Sequence, residues 1–239
     1  MTKRKKLLTG SLAMCLVAAV AIGSTLAFMT DSEKATNTLT VGSNLDIDLD
    51  EPNWEDSTDG KDMTPGSTEV KDPTIEEVEG SSYMRAIVTI IDTETDEQIT
   101  DEDRLDLIWQ TIRFDSTYQA ADNTVGTGLV EGTSYSLEQL ESYPTVNPAF
   151  TAVPAKATDG QEYYNYNKIL NKGEKVALFT NIVIPTDWNQ DQLTLLGKFK
   201  VEIFAQAIQS QNFASADAAF AALDAEIDAG TMKANYATH

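Results

Sequence analysis

The chain has 239 residues, 41% of them hydrophobic and 23% charged, which suits one ordinary globular domain or two small ones. Seventeen basic residues against 38 acidic ones give a formal net charge of −21, and this balance argues against binding to nucleic-acid phosphates or anionic lipid surfaces. The single cysteine excludes an intrachain disulfide, and a single histidine at the last position, His239, argues against a multi-histidine zinc site or a Ser–His–Asp triad.

Residues 1–27 have the composition of a secretory signal peptide. Four basic residues precede an uncharged apolar run over residues 12–22, and small residues stand before a cleavage site. We therefore predict cleavage between Ala27 and Phe28 and a secreted product that has no membrane segment. An uncleaved anchor and a lipidated Cys15 are less favoured alternatives, because the apolar run falls short of the about 20 residues that span a bilayer and the residue before Cys15 is large.

Removal of this segment makes the chain still more acidic. Subtracting four basic residues from 17 leaves 13 against 38 acidic ones, a net charge of −25, and no cysteine remains. Association between copies of such a chain would oppose like charges unless salt screens them.

Alternation of apolar and polar residues predicts the first strands of the mature chain. The alternating apolar residues are Leu39, Val41, Leu45, Ile47 and Leu49. Residues 50–82 combine acidic residues with proline and glycine signals, so they are predicted to form a loop that holds a short strand at residues 68–71.

A β-branched run over residues 83–91 predicts a central strand that is buried on both faces. The acidic stretch that follows leads into Leu105, Ile108 and Ile112, whose spacing predicts a helix capped by Thr100 or Asp101. Residues 136–141 favour a helical turn.

The last third of the chain predicts a hairpin, a strand and a helix. Residues 163–169 and 176–184 are expected to pair as a hairpin around a turn at 171–174, and alternation over 198–208 indicates another strand. A helix should begin at Ser215 and end at Gly230. Together these elements predict a mainly β fold, an antiparallel Ig-like or jelly-roll sandwich with one inserted helix and a C-terminal helix, formed as a single domain with acidic loops over residues 28–239.

Few residues in the chain suggest chemistry. The carboxylates of Asp92, Glu94 and Asp96 are weak candidates for a calcium site, and no other cofactor or metal is predicted. No nucleophile elbow, phosphate loop or zinc motif is present, so the chain is not expected to be an enzyme.

Two sets of residues invite both a structural and a functional interpretation. Tyr163, Tyr164 and Tyr166 suit cross-strand packing better than a sugar-stacking strip. Arg85 lies in an apolar strand, where a charged side chain needs a carboxylate partner, so we predict a structural ion pair.

The N-terminal region resembles the TasA/camelysin-like family of exported proteins. The resemblance centres on Gly-Ser-Thr-Leu-Ala-Phe-Met-Thr-Asp-Ser-Glu-Lys at residues 23–34. Further similar stretches are residues 5–12, 35–42, 64–67, 71–74, 83–86, 178–185 and 205–209.

This resemblance implies export through a SipW-type signal peptidase in a Gram-positive bacterium, and a place on the cell surface or in the biofilm matrix. It implies self-association into fibres, or association with other matrix proteins, in which the N-terminal strand of one copy completes the sheet of the next. The candidate donor strand covers residues 28–41, with Phe28, Met29, Leu39 and Val41 as its apolar anchors.

Two other functions stay open at this stage. The chain could instead be a monomeric Ig-like surface module that binds a glycan or a protein. A camelysin-like protease activity is less favoured, because the sequence offers no recognisable set of metal ligands.

Overall fold

The computed structural model describes residues 30–34, 46–54, 63–211 and 213–229; for residues 30–34 and 46 the description covers the backbone. The fold is mainly β and consists of three antiparallel sheets arranged as a sandwich, which confirms the predicted class. The strands are β1 (Thr30–Lys34), β2 (Asp46–Asp50), β3 (Thr68–Val70), β4 (Thr74–Glu79), β5 (Ser81–Asp92), β6 (Ile112–Arg113), β7 (Phe150–Ala152), β8 (Gln161–Asn171), β9 (Lys175–Ala177), β10 (Asn181–Val183) and β11 (Phe199–Gln209).

One layer of the sandwich is a five-stranded sheet in the order β1-β11-β5-β8-β7. Its centre is β5, which pairs with β11 along eleven residues and with β8 on its other side. The ten residues from Ser82 to Ile91 are all buried, so the prediction of a central strand covered on both faces is confirmed. β-branched residues suit this position because they pack well on a pleated surface.

The other layer combines the two smaller sheets, which have the orders β2-β4-β9 and β3-β10-β6. Main-chain hydrogen bonds from Lys71 N to Thr180 O and from Leu178 N to Pro73 O, each 2.9 Å, continue the pairing from one sheet to the other. The two sheets therefore act as one layer, with β2 and β6 at its edges. The main core lies between the layers, where residues such as Ile75 and Ile182 meet Met84 and Ala205.

Two predicted helices are present where they were expected. Helix α1 (Glu102–Thr111) is capped by the carboxylate of Asp101, which accepts a hydrogen bond from Arg104 N at 2.8 Å. The helix ends at Thr111, because Ile112 has an extended backbone conformation. Arg113 Nη1 donates hydrogen bonds to the carbonyl oxygens of Trp109 and Ile112 at this end. A predicted helical turn is confirmed as α2 (Leu137–Leu140).

The structure adds a helix that the sequence interpretation lacked. Helix α3 (Gln190–Leu196) follows Asn189, whose side chain accepts from the N–H groups of Asp191 and Gln192. The C-terminal helix, α4 (Ala216–Asp228), begins at the predicted cap, because Ser215 Oγ accepts a hydrogen bond from Ala218 N. Its predicted end at Gly230 lies outside the described residues.

The predicted hairpin between residues 163–169 and 176–184 is wrong. The turn exists, with Glu174 N bonded to Asn171 O, but β8 pairs with β5 and β7 while β9 pairs with β4 in the other layer. The reason lies in the turn, where Lys172 N donates to Gly80 O, in the connection between β4 and β5. The chain therefore changes layers at this point instead of folding back on itself.

Residues 50–82, predicted as a loop with one short strand, contain two strands. The expected strand is confirmed as β3, but β4 was not predicted. A bulge in the pairing of β4 with β2, between Asp46 and Ile47, shifts which β4 residues are buried and breaks the simple alternation of apolar and polar residues. Among the described residues, no helix is both long enough and apolar enough to cross a membrane.

Candidate assembly edge

The first described strand forms one edge of the five-stranded sheet. β1 pairs antiparallel with β11 along its full length, from Thr30 opposite Ile208 to Lys34 opposite Phe204. This edge strand lies within residues 28–41, the segment that was predicted to act as a donor strand. In this structure the N-terminal segment thus forms the edge strand of its own chain's sheet.

Where β11 pairs with β1, its two faces carry different kinds of side chain. Ala205 and Ala207 belong to the main core and are 0% exposed. Phe204 and Ile208 belong to smaller clusters that include residues of the opposite face of β5, as expected when successive side chains alternate across a sheet. An occupant of this edge therefore meets a core-facing side made of small apolar residues and an outer side of mixed character.

The sequence of β1, Thr-Asp-Ser-Glu-Lys, contains no apolar residue. Such a strand offers no large aliphatic side chain for burial, and a typical main-chain hydrogen bond adds only about 0.5–1.5 kcal/mol. Burial of an aliphatic side chain would add about 1.5–3 kcal/mol, which β1 forgoes. A strand of this composition loses no aliphatic burial when it leaves the sheet.

The sheet edge also extends beyond β1. β11 pairs with β5 from Phe199 to Gln209, but its pairing with β1 stops at Phe204. Residues 35–45, which follow β1 in the sequence, lie outside the described residues. The edge of a sheet is a position at which a strand from another chain can add.

The outer face next to this edge is covered by helix α4, which is held by Arg85. The side chain of Arg85 is 2% exposed, and its Nη1 lies 2.9 Å from Asp224 Oδ1, which also lies 3.4 Å from Lys156 Nζ. Nε donates to Asn165 Oδ1, and the guanidinium carbon stands 4.3 Å from the centre of the Phe220 ring. The predicted ion pair of Arg85 is thus confirmed, and its partner comes from the C-terminal helix.

Gln206 stands beside Arg85 in the pairing of β11 with β5 and opposite Ser32 in the pairing with β1. Its side chain is 5% exposed, and its Oε1 atom is buried with no hydrogen-bond partner. A buried carbonyl oxygen without a donor costs about 1–3 kcal/mol, so it marks a position where a donor would bind. The sequence interpretation did not single out Gln206, because only the register of the strands reveals its surroundings.

The residues predicted for cleavage and for anchoring the donor strand lie outside the described residues. These residues are Ala27, Phe28, Met29, Leu39 and Val41. The strand that the structure does describe, β1, lies within the predicted donor strand, but its five polar residues carry no alternation of apolar and polar side chains that would indicate a strand.

The three calcium candidates are engaged with protein groups. Asp92 accepts from Arg104 Nη1 at 2.6 Å and from two backbone N–H groups, and these bonds, with that of Arg104 foremost, lower the pKa of its carboxyl to about 2. The carboxylate of Glu94 lies 4.0 Å from Lys198 Nζ, and that of Asp96 lies 2.7 Å from Lys200 Nζ. Among the described residues, no group of three or more potential ligands is arranged to hold a metal ion.

The tyrosines of β8 pack against neighbouring side chains, Tyr164 and Tyr166 with the main core and Tyr163 with the cluster on the other face of the sheet. Tyr163 and Tyr164 are buried, the ring of Tyr164 meets Trp109 edge-on at 6.4 Å, and Tyr166 lies 5.2 Å from Phe150. The preference for cross-strand packing over a sugar-stacking strip is confirmed.

A polar cleft lies elsewhere, beside the edge strand β2. Its lining residues are Asp48, Asp50, Pro52, Thr74, Glu76, Asn123 and Lys175. Lys175 Nζ is 3.0 Å from Glu76 Oε2, so part of the negative charge of the cleft is neutralised. No aromatic ring is among these lining residues, so the cleft offers no stacking surface for a sugar.

Comparison of the chain with protein-family models, with curated proteins and with solved structures found no match. The edge formed by β1 and β11 is therefore the feature on which a functional proposal depends.

Proposed function

We propose that this chain is an exported structural protein of the cell surface or extracellular matrix, which assembles into fibres by exchanging its N-terminal strand between copies. The observation that carries the proposal is the place of β1 at the edge of the five-stranded sheet, held without apolar side chains. A strand of this kind can leave its own sheet at small cost and pair with the same edge of another copy.

The direction of exchange favours open polymers. The strand that leaves and the edge that receives it are different surfaces of the molecule, so each copy can receive one strand and donate another. Such a head-to-tail contact yields a filament unless its rotation closes a ring. Removal of residues 1–27 would free the strand, since it begins within a few residues of the predicted cleavage site.

The sequence resemblance to the TasA/camelysin-like family agrees with this function. It supplies the expected export route through a dedicated signal peptidase and the expected location outside the cell. We assign no enzymatic activity to the chain, and no resident cofactor. Self-association is the proposed interaction, with other matrix proteins as further partners.

The first experiment identifies the exported product. The full chain is expressed in a Gram-positive secretion host that contains a SipW-type peptidase, and the culture medium is analysed by intact-mass spectrometry. A product that begins at Phe28 is expected. Recovery of the chain inside the cell with Met1 still attached would contradict the export part of the proposal.

The second experiment tests assembly. Negative-stain electron microscopy of the secreted product should show filaments, and deletion of residues 28–41 should abolish them while the circular dichroism spectrum keeps its β signature. Filaments formed by the deletion variant would refute strand exchange. A wild-type product that stays monomeric at every salt concentration would favour the alternative of a monomeric surface module.

A further inference from the structure

A buried hydroxyl group and a buried side-chain amide lie in contact on the outer face of the five-stranded sheet. Thr89 alternates with the core residues Val88 and Ile90, so its side chain lies on that face, and the pairing of β5 with β8 places Gln161 opposite it. Thr89 and Gln161 are each 8% exposed, and Gln161 Nε2 donates a hydrogen bond of 3.0 Å to Thr89 Oγ1. Because a C–N bond is about 1.33 Å long, the amide carbon Cδ lies at most about 4.3 Å from that oxygen. A nucleophilic oxygen and a carboxamide carbon are thus held close together and away from bulk water.

The oxygen of the same amide is in contact with a phenol. Tyr163, which is 4% exposed, donates a hydrogen bond from its hydroxyl to Gln161 Oε1 at 3.0 Å. A hydroxyl and an amide on neighbouring strands can be an ordinary cross-strand pair. The phenol adds a further property, since a donor aimed at this oxygen stabilises the negative charge that develops there when a nucleophile adds to Cδ. The hydrogen bond from Tyr163 therefore makes the amide of Gln161 a better electrophile.

The strand on the other side of β5 supplies a base. The pairing of β11 with β5 places Glu202 opposite Thr89, and directly opposite residues have Cβ atoms about 4.5–5.5 Å apart on the same face. The side chain of Glu202 is 21% exposed, and its Oε1 lies 3.2 Å from Lys200 Nζ. A carboxylate in this position can accept the proton of the Thr89 hydroxyl. Three adjacent strands thus place a base, a nucleophile and an amide in one row across the sheet.

We propose that Thr89 and Gln161 form an ester that crosslinks β5 to β8. Thr89 Oγ1 attacks Cδ of Gln161 while Glu202 takes the hydroxyl proton, and the phenol of Tyr163 binds the oxyanion. The Cδ–Nε2 bond then breaks, and the nitrogen receives that proton and leaves as ammonia. One C–O bond forms, one C–N bond breaks and no electron is transferred, so the reaction needs no oxidant. The folded chain is therefore lighter by one ammonia than the mass calculated from its sequence.

A second contact between a hydroxyl and an amide on the same sheet provides a comparison. Thr151 Oγ1 donates to Asn167 Oδ1 at 2.7 Å, but both residues are exposed. Water competes for both groups there, so no ester is expected. The selectivity for Thr89 thus depends on burial and on the groups around Gln161, and the crosslink is independent of strand exchange at the edge formed by β1 and β11.

Mass spectrometry of the full chain tests the crosslink directly, in whichever compartment of the secretion host the chain is recovered. Digestion with trypsin after denaturation places Thr89 in the peptide of residues 86–104 and Gln161 in that of residues 157–168. We expect these peptides to be joined, with their summed mass reduced by one ammonia and with fragment ions that locate the bond at Thr89 and Gln161. Hydroxylamine, which cleaves esters, should separate them. Recovery of the two peptides unlinked, with the amide of Gln161 intact, would overturn the inference, and so would a link that resists hydroxylamine.

Variants test the roles of the individual groups. Thr89→Val removes the hydroxyl at nearly constant volume and should abolish the link, whereas Thr89→Ser should form it. Tyr163→Phe and Glu202→Gln should each slow the loss of ammonia by roughly 10²-fold, followed by sampling at intervals after synthesis is induced. The matched control is Thr151→Val, which should keep the wild-type linkage. Linkage in Thr89→Val, or wild-type rates in both Tyr163→Phe and Glu202→Gln, would contradict the mechanism.

Discussion

Arg85 and Asp224 form an ion pair, 2.9 Å between Nη1 and Oδ1, that joins the central strand of the larger sheet to the C-terminal helix. The two residues are 139 positions apart in the sequence. The side chain of Arg85 is 2% exposed, so its positive charge is compensated by protein groups. These are the carboxylate of Asp224, the amide oxygen of Asn165 and the ring of Phe220. Helix α4 is therefore part of the folded sandwich and not a separate tail.

Replacement of Asp224 by asparagine should destabilise the fold by about 3 kcal/mol, since loss of one partner leaves a buried charge uncompensated. Urea unfolding followed by tryptophan fluorescence measures the change. The control is Asp228→Asn on the same helix, where the side chain is exposed and a change within about 0.5 kcal/mol is expected. Equal stability of the two variants would show that the ion pair does not hold the helix.

Asp115 closes a loop by accepting four hydrogen bonds. Its carboxylate binds the N–H and hydroxyl of Thr117 at 2.9 and 2.8 Å, Gly128 N at 2.7 Å and Leu129 N at 2.8 Å. An asparagine has one acceptor oxygen and turns an NH₂ group toward these donors. We expect Asp115→Asn to cost about 2 kcal/mol at pH 7, measured by urea unfolding. A loss below about 0.5 kcal/mol would contradict this role.

The same carboxylate should make stability depend on pH. Burial raises its pKa, but the hydrogen bonds from Thr117, Leu129 and Gly128 prevail, and the pKa in the folded state is lowered. A carboxyl with a lowered pKa stabilises the fold above its unfolded pKa of about 3.9, and this contribution is lost as the pH falls toward the folded value. Between pH 5 and pH 2 the wild type should therefore lose more stability than Asp115→Asn. Parallel loss in both proteins would exclude the effect.

Alanine substitutions at Gly160 and Gly173 would distinguish the cost of steric overlap from the cost of backbone strain. Both have positive φ, +74° and +78°, but a Cβ atom on Gly160 would overlap the carbonyl oxygen of Ile99, whereas one on Gly173 would meet no atom within 4 Å. Gly173→Ala should cost about 1 kcal/mol through the left-handed conformation. Gly160→Ala should cost about 3 kcal/mol or more, because the backbone must also move. Thermal unfolding of both variants tests this, and equal losses would contradict the difference.

Filament formation should increase with ionic strength. After the predicted cleavage each copy carries a net charge of −25, and the screening length falls from about 30 Å at 0.01 M salt to about 8 Å at 0.15 M. Light scattering should therefore rise with sodium chloride over this range. Because Asp92, Glu94 and Asp96 already face cations of the chain, calcium should act no differently from magnesium at equal ionic strength. A stimulation specific to micromolar calcium would contradict this.

Much of the fold could be predicted where one residue pattern decides one element. The run from Tyr83 to Ile91, the spacing of Leu105 and Ile108, and the serine before α4 each gave the correct element, because burial or capping acts locally there. The partner of Arg85 could be predicted as a carboxylate, but not as Asp224, since only the packing of α4 on the sheet brings the two together.

The errors have a common cause in long-range pairing. The segments on either side of the turn at Asn171 have good strand patterns, but neither pattern specifies the partner. Hydrogen bonds from the turn to Gly80 O and Glu77 O accompany the passage of the chain into the other layer. β1 lies within the predicted donor strand, but its polar sequence has no strand pattern, and its pairing with β11 defines its bounds. The candidate assembly edge is therefore a product of register, which the sequence alone does not specify.

The eleven-residue pairing between β11 and β5 has a mechanical consequence. In a fibre linked at this edge, tension enters each subunit along β11, nearly parallel to the strands. The hydrogen bonds to β5 are then loaded in shear and share the force, so they resist it together. In the proposed fibre, an exchanged strand that pairs over five residues, as β1 does, would be the weaker joint. A stretched fibre should break between subunits, and the separated sandwiches should stay folded and able to rejoin.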